Sequence, residues 1–240
     1  MERIDSEEIL DSPQCSVTDA AESLEDLCRI NRWFGGVRTT RQLVEKVAAS
    51  TGQKRFSMLE VASGFGEVPR KAAVKLARKG ILLAITDLDR MPSHLRPGHR
   101  AVVGDALALP FRDNSFDLVS CSLFAHHLDP ADLTRFVDEA LRVSRSAVLI
   151  NDLVRHALHL AVVYAGFPLM RSYVSRVDGV ASVRRAYTPE EMRHMLANSA
   201  RDAAAKIDIS THYLFRMGVI VWKKRPPASA DLVPSAKSAA

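Results

Sequence analysis

The segment Met58-Leu59-Glu60-Val61-Ala62-Ser63-Gly64-Phe65-Gly66 decides the fold. It reads as an apolar strand that ends in an acid and small residues and runs straight into a helix. Gly64 and Gly66 let the backbone pass close to a ligand where a Cβ would collide, and the helix start offers unpaired N–H groups. A dinucleotide site wants G-x-G-x-x-G, but the third glycine position is Pro69, and Glu67 places a negative charge where a pyrophosphate would sit. Glu60 suits a cationic ligand group instead, because a carboxylate at the carboxyl end of a strand accepts hydrogen bonds from an ammonium, directly or through water.

Outward from this turn, apolar runs of strand length alternate with helical patterns, the mark of a mostly parallel sheet covered by helices on both faces. The strand runs are 56–61, 81–86, 101–103, 116–122 and 147–150. Helices are expected at 69–79, with Gly80 as its stop, and at 130–143, with Asp129 as N-cap ahead of Pro130. Two further runs, 207–215 and 219–223, are separated only by Arg216-Met217-Gly218, so they must pair antiparallel as a hairpin. No fixed-period repeat is present. Residues 1–17 and 226–240 read as mobile tails around a single domain over 18–225.

Composition narrows the class. The chain has 240 residues, 47% hydrophobic and 25% charged, enough for a sizeable core and too apolar for wholesale disorder. Cys15, Cys28 and Cys121 form neither a disulfide framework nor a zinc pattern, and the start of the chain shows no secretory signal, which together imply a cytoplasmic protein. Arg155, His156 and His159 interrupt the most apolar stretch, so no membrane span is expected. The net charge of +5 is spread in short clusters rather than a basic stripe, which speaks against nucleic acid as a partner.

The stretch Gly104-Asp105-Ala106-Leu107-Ala108-Leu109-Pro110-Phe111, followed by Ser115-Phe116-Asp117, is the most specific. With the Glu60–Gly66 turn, it resembles the class I S-adenosylmethionine-dependent methyltransferases, within them the small-molecule branch that includes the ubiquinone and menaquinone biosynthesis enzymes. The resemblance spans 55–150 and departs from the usual D/E-x-G-x-G-x-G at Ala62. It implies an α/β, Rossmann-like, seven-stranded sheet of order 3-2-1-4-5-7-6 with an antiparallel terminal hairpin and a helical substrate cap, drawn from about 19–36 and 155–188. It also implies S-adenosyl-L-methionine as cofactor, held by Glu60, Ala62, Gly64, Gly66, Asp87, Leu88, Asp105 and Ala106. Asp87 would face the ribose and Asp105 with Ala106 the adenine; an acid after a strand is equally a helix N-cap.

In small-molecule members the stretch after the fourth strand, here Leu123-Phe124-Ala125-His126-His127-Leu128, faces the transferred methyl. Neutral histidine suits a general base at pH 7, so His126 and His127 are catalytic candidates, with His156 or His159 as further ones after the fifth strand; capping a turn or surface solvation is their structural alternative. Asn151 and Asp152 would suit magnesium, but the matching acid after the fourth strand is missing, so metal-free catalysis is expected. The expected activity is O-methylation of a small, apolar or aromatic hydroxylated acceptor. An RNA or protein methyltransferase, or a non-catalytic cofactor-binding regulator of the same fold, is the alternative.

Overall fold

The computed structural model describes residues 1–6, 8–12, 15–199 and 204–224, so the expected tail at 226–240 lies outside the described residues. Seven strands form one sheet: β1 (Arg55–Val61), β2 (Leu82–Asp89), β3 (Ala101–Val103), β4 (Phe116–Ser122), β5 (Ser144–Leu153), β6 (Ala204–His212) and β7 (Arg216–Lys223). Their order is β3-β2-β1-β4-β5-β7-β6, parallel except for β7 against its two neighbours. This is the expected Rossmann-like arrangement.

Strand alternation divides the core between two faces. Leu59 and Val61 pack with Phe136, Val137 and Met192, contributed by α4 (Pro130–Val143) and α7 (Pro189–Ser199). Met58, Leu118 and Ile220 pack on the other face against Val44, Val47, Ala72 and Leu76 of α2 (Gly36–Thr51) and α3 (Glu67–Ala77). The α4 start follows its sequence signals: the Asp129 carboxylate accepts the Asp132 N–H at 2.8 Å and Pro130 opens the helix.

The hairpin turn differs from expectation. Tyr213–Phe215 makes it, with Leu214 and Phe215 at φ of 54° and 56°, and Arg216-Met217-Gly218 lies inside β7. Gly218 is there for close packing: a Cβ would stand 2.6 Å from the His212 ring and 2.9 Å from Leu43.

The cap is helical. α1 (Val17–Trp33), α5 (Ala157–Gly166) and α6 (Tyr173–Arg185) cover the carboxyl edge of the sheet. The amino-terminal segment, expected as a tail, is tied to this cap. Asp178 accepts the Ile9 and Leu10 N–H groups at 2.8 and 2.9 Å, Arg185 donates to the Ser6 carbonyl at 3.0 Å, and Arg155 donates to the Met1 carbonyl at 2.9 Å. No helix among the described residues is long and apolar enough to cross a membrane.

Candidate active site

The parallel strands end on one edge, where an open α/β sheet leaves a crevice. Here a cavity of about 880 Å³ runs from the β1–α3 turn to the inner faces of α1, α5 and α6. Ala62, Gly64 and Gly66 all adopt left-handed backbone, at φ of 50°, 49° and 63°, which wraps the chain around the cavity mouth. Glycine adopts this at no steric cost, whereas Ala62 carries a cost of about 1 kcal/mol. The Gly64 N–H donates to Asp89 at 2.8 Å, which fixes the turn to the end of β2.

Of the expected cofactor contacts, Glu60, Ala62, Gly64, Gly66, Leu88, Asp105 and Ala106 line this cavity, and Asp87 does not. Asp87 is buried beneath the turn, where the Arg70 guanidinium grips both its oxygens, at 2.9 and 2.8 Å, and His99 lies 3.3 Å away. Gly66 is closed to a side chain by this pair, since a Cβ would sit 2.8 Å from the Asp87 carboxylate. The acid that faces the cavity is Asp89, two residues further on the same strand face. Sequence spacing could not separate these two acids, because both sit at the strand end and only the Arg70 contact removes one of them.

Glu60 is 1% exposed, and its Oε2 has no hydrogen-bond partner among the described residues. Burial pushes its carboxyl up to about 7, against the opposing pull of the Ser120 and Ser122 hydroxyls. An acceptor this isolated at a cavity wall is suited to a ligand cation. Arg216, fully buried and also on the cavity wall, donates to Asn31 at 2.7 Å, while its Nη1 has no partner among the described residues and offers a donor to an anion.

The histidines divide three ways. His156 lies outside the cavity lining; it caps α5 by accepting the Leu158 N–H at 3.1 Å and stacks on Phe215. His126, 2% exposed, lies at the cavity wall with Nδ1 2.7 Å from Asp152, which also accepts the His126 N–H at 3.0 Å. Burial alone would lower the pKa of His126, but Asp152 and Glu8 on its two sides push it up to about 10. The two flanking carboxylates thus favour its charged form, whereas a neutral base is what the sequence led us to expect. His127 lines the same wall, its Nε2 3.7 Å from Glu8. Glu8, 6% exposed and held by the Ser182 hydroxyl at 2.7 Å, is the residue that sequence reading missed altogether. Asn151 ties β5 to α2: its amide donates to the Gly36 carbonyl and the Thr40 hydroxyl, both at 2.9 Å, and it does not line the cavity.

The sequence over 59–150 matches the family model described as "Methyltransferase domain". No curated protein sequence matches the chain. Among solved structures, the plantazolicin methyltransferase BpumL in complex with a triazolic desmethylPZN analog and SAH is similar at 13% identity and TM-score 0.67, over 90% of this chain and 93% of that one. Human N-acetylserotonin methyltransferase in complex with SAM is similar at 11% identity and TM-score 0.60, over 92% and 61%. The CMeT domain of a citrinin polyketide synthase is similar at 13% and TM-score 0.54, over 79% and 52%. The family match falls on the stretch from β1 to β5 that borders the cavity, and the sheet order around it is the Rossmann-like one: over that stretch the chain is similar to methyltransferase domains, and it shares the fold of these solved methyltransferases.

Proposed function

We propose that the protein transfers a methyl group from S-adenosyl-L-methionine to a hydroxyl of a small, apolar or aromatic acceptor. The observation that carries this reading is the continuity of one cavity, with the orphaned Glu60 carboxylate and the glycine turn at one end and the Glu8–His126–His127 cluster at the other, under an apolar roof. The donor, when bound, supplies a methyl made electrophilic by its sulfonium. Glu60 takes the donor's ammonium, Asp89 its ribose diol, and Asp105 with Ala106 its adenine. Asp105 already accepts the Leu107 N–H at 2.8 Å through one oxygen and keeps the other for an exocyclic amine.

The cap residues supply alignment and exclude water. Leu24, Leu27, Val162, Val163, Met170 and Val183 line the roof, a surface that favours an apolar acceptor body. Holding donor and acceptor in line contributes most of the rate in such a transfer, and the remaining task is to remove one proton from the acceptor hydroxyl. The polar cluster on the wall is where that hydroxyl is held. The covered cavity favours a small acceptor over RNA or a folded protein, and the short motif 109–117 supports the quinone-biosynthesis-like, small-molecule branch.

The test is incubation of the purified chain with methyl-labelled S-adenosylmethionine and, separately, a panel of alkylphenols and resorcinols, total RNA, and extract proteins. Label is expected in the phenolic products as an ether. Label confined to RNA or protein, with none in any small acceptor, would overturn the reading.

A further inference from the structure

We propose that Glu8, His126 and His127 form a binding site for one divalent transition-metal ion, with an open coordination position facing the cavity. The three side chains each bring a ligand atom, and these atoms lie within 4.8 Å of one another. His126 Nε2 stands 3.5 Å from Glu8 Oε1, and His127 Nε2 stands 3.7 Å from Glu8 Oε2. Both separations are long for a hydrogen bond. They run to the two carboxylate oxygens separately, and separations of this size leave room for an ion between the carboxylate and the rings, since ligand atoms around a zinc-sized ion stand about 3.4 Å apart for metal–ligand distances of ~2.1 Å.

Three further features agree. His126 Nε2 is buried and has no hydrogen-bond partner among the described residues, so a polar atom is aimed into the cluster unsatisfied. Its other ring nitrogen, Nδ1, is held by Asp152 at 2.7 Å, the carboxylate–histidine arrangement that fixes the tautomer and turns Nε2 toward a metal. The Ser182 hydroxyl fixes Glu8 in the same manner at 2.7 Å. Charge points the same way: two buried carboxylates, Glu8 and Asp152, face neutral imidazoles in a metal-bound state, and a doubly positive ion balances them. Two imidazoles and one carboxylate suit zinc, cobalt or ferrous ion, whereas magnesium and calcium prefer oxygen alone.

All three ligands line the cavity, so the fourth position opens onto the space assigned to the acceptor. That placement departs from the metal-free chemistry expected from sequence. A hydroxyl coordinated there would be acidified, which is a role that rests on the methyl-transfer reading; the metal site itself does not rest on it. The site unites residues from the amino-terminal segment and from the turn after β4, and the segment's hydrogen bonds to Asp178 and Arg185 are what bring Glu8 to the histidines.

The experiment strips the full chain with a chelator, then titrates Co(II), followed by Zn(II) in competition, without acceptor or donor. One equivalent of Co(II) should give the visible absorption of a four- or five-coordinate nitrogen–oxygen site, and Zn(II) should displace it. His127→Ala and Glu8→Gln should each weaken binding by roughly 100-fold or more, and Asp152→Asn by roughly 10- to 100-fold through His126. Binding of S-adenosylhomocysteine by the same variants reports whether each is folded. If the folded wild-type chain binds no Co(II) or Zn(II) at about 100 µM, or binds them equally well in the folded His127→Ala and Glu8→Gln variants, the cluster is an ion pair and the proposal fails. Loss of S-adenosylhomocysteine binding by the wild type with retention of the metal would count against the methyl-transfer reading alone.

Discussion

Replacing Glu60 by Gln should make the ligand-free protein more stable at pH 8 while weakening its grip on S-adenosylmethionine. The structural reason is the position of this carboxylate, 1% exposed, with Oε2 unpartnered among the described residues. Its carboxyl stands at about 7 rather than its usual 4.5, with burial as the first cause. Ionising it inside the fold therefore costs about 3 kcal/mol, at 1.36 kcal/mol for each tenfold change in proton affinity. The sign follows from linkage. Between pH 4.5 and about 7 the folded state holds a proton that the unfolded state has released, so stability falls across that window and levels off above it. Glu60→Gln removes the dependence. At pH 8 the variant should melt higher by roughly 6 to 12 °C, taking 2–4 °C per kcal/mol for a domain of this size, and at pH 4.5 the two proteins should nearly coincide. A ligand ammonium would reverse the advantage: losing a charge-assisted hydrogen bond of about 1.5–3 kcal/mol weakens binding by roughly 10- to 150-fold. Thermal melts from pH 4.5 to 8, paired with calorimetric titration of S-adenosylhomocysteine at pH 8, check both halves. A variant less stable than wild type at pH 8, or one that binds the ligand equally well, would refute the reasoning.

Asp89 and Asp87 should separate in the same two measurements. Asp89→Ala is expected to reduce cofactor affinity by roughly 10-fold or more with a modest stability change, whereas Asp87→Asn, which breaks the buried pair with Arg70, should cost about 3 kcal/mol of stability, read from urea unfolding. The opposite assignment would return the ribose to Asp87. Ala62→Gly should raise stability by about 0.5–1 kcal/mol because position 62 is left-handed, checked by the same unfolding curves; a loss would show that the alanine methyl contributes more than its backbone strain costs.

The sheet was legible in sequence because buried strands announce themselves as apolar runs bounded by turn residues. Phe116–Ser122 and Ala101–Val103 match their strands end to end. The hairpin was placed but its turn was not: Gly218 reads as a turn signal, yet its missing side chain makes room for His212 and Leu43, a requirement set by residues that only the folded chain brings near. The β1–α3 turn was legible for a related reason, since left-handed backbone favours glycine locally. What could not be read depends on distant partners. Glu8 lies in a stretch of polar composition that looks like a tail, and the groups that order it, Asp178, Ser182 and Arg185, are far along the chain on α6. His126 was visible as a histidine after the fourth strand, but its charge is set by Asp152 on the adjacent strand and by Glu8, so its protonation state lay outside sequence reach.

The central claim is that the β1–α3 turn and the Glu60 carboxylate hold an adenosylated sulfonium donor. Calorimetric titration of the full chain with S-adenosylmethionine at pH 6, in two buffers of different protonation enthalpy, tests it most directly. The account predicts one site per chain and release of up to one proton on binding, as the ligand ammonium drives Glu60 from its protonated to its ionised form, with NAD giving no heat. Binding of NAD without S-adenosylmethionine, or S-adenosylmethionine binding with no proton released, would contradict it.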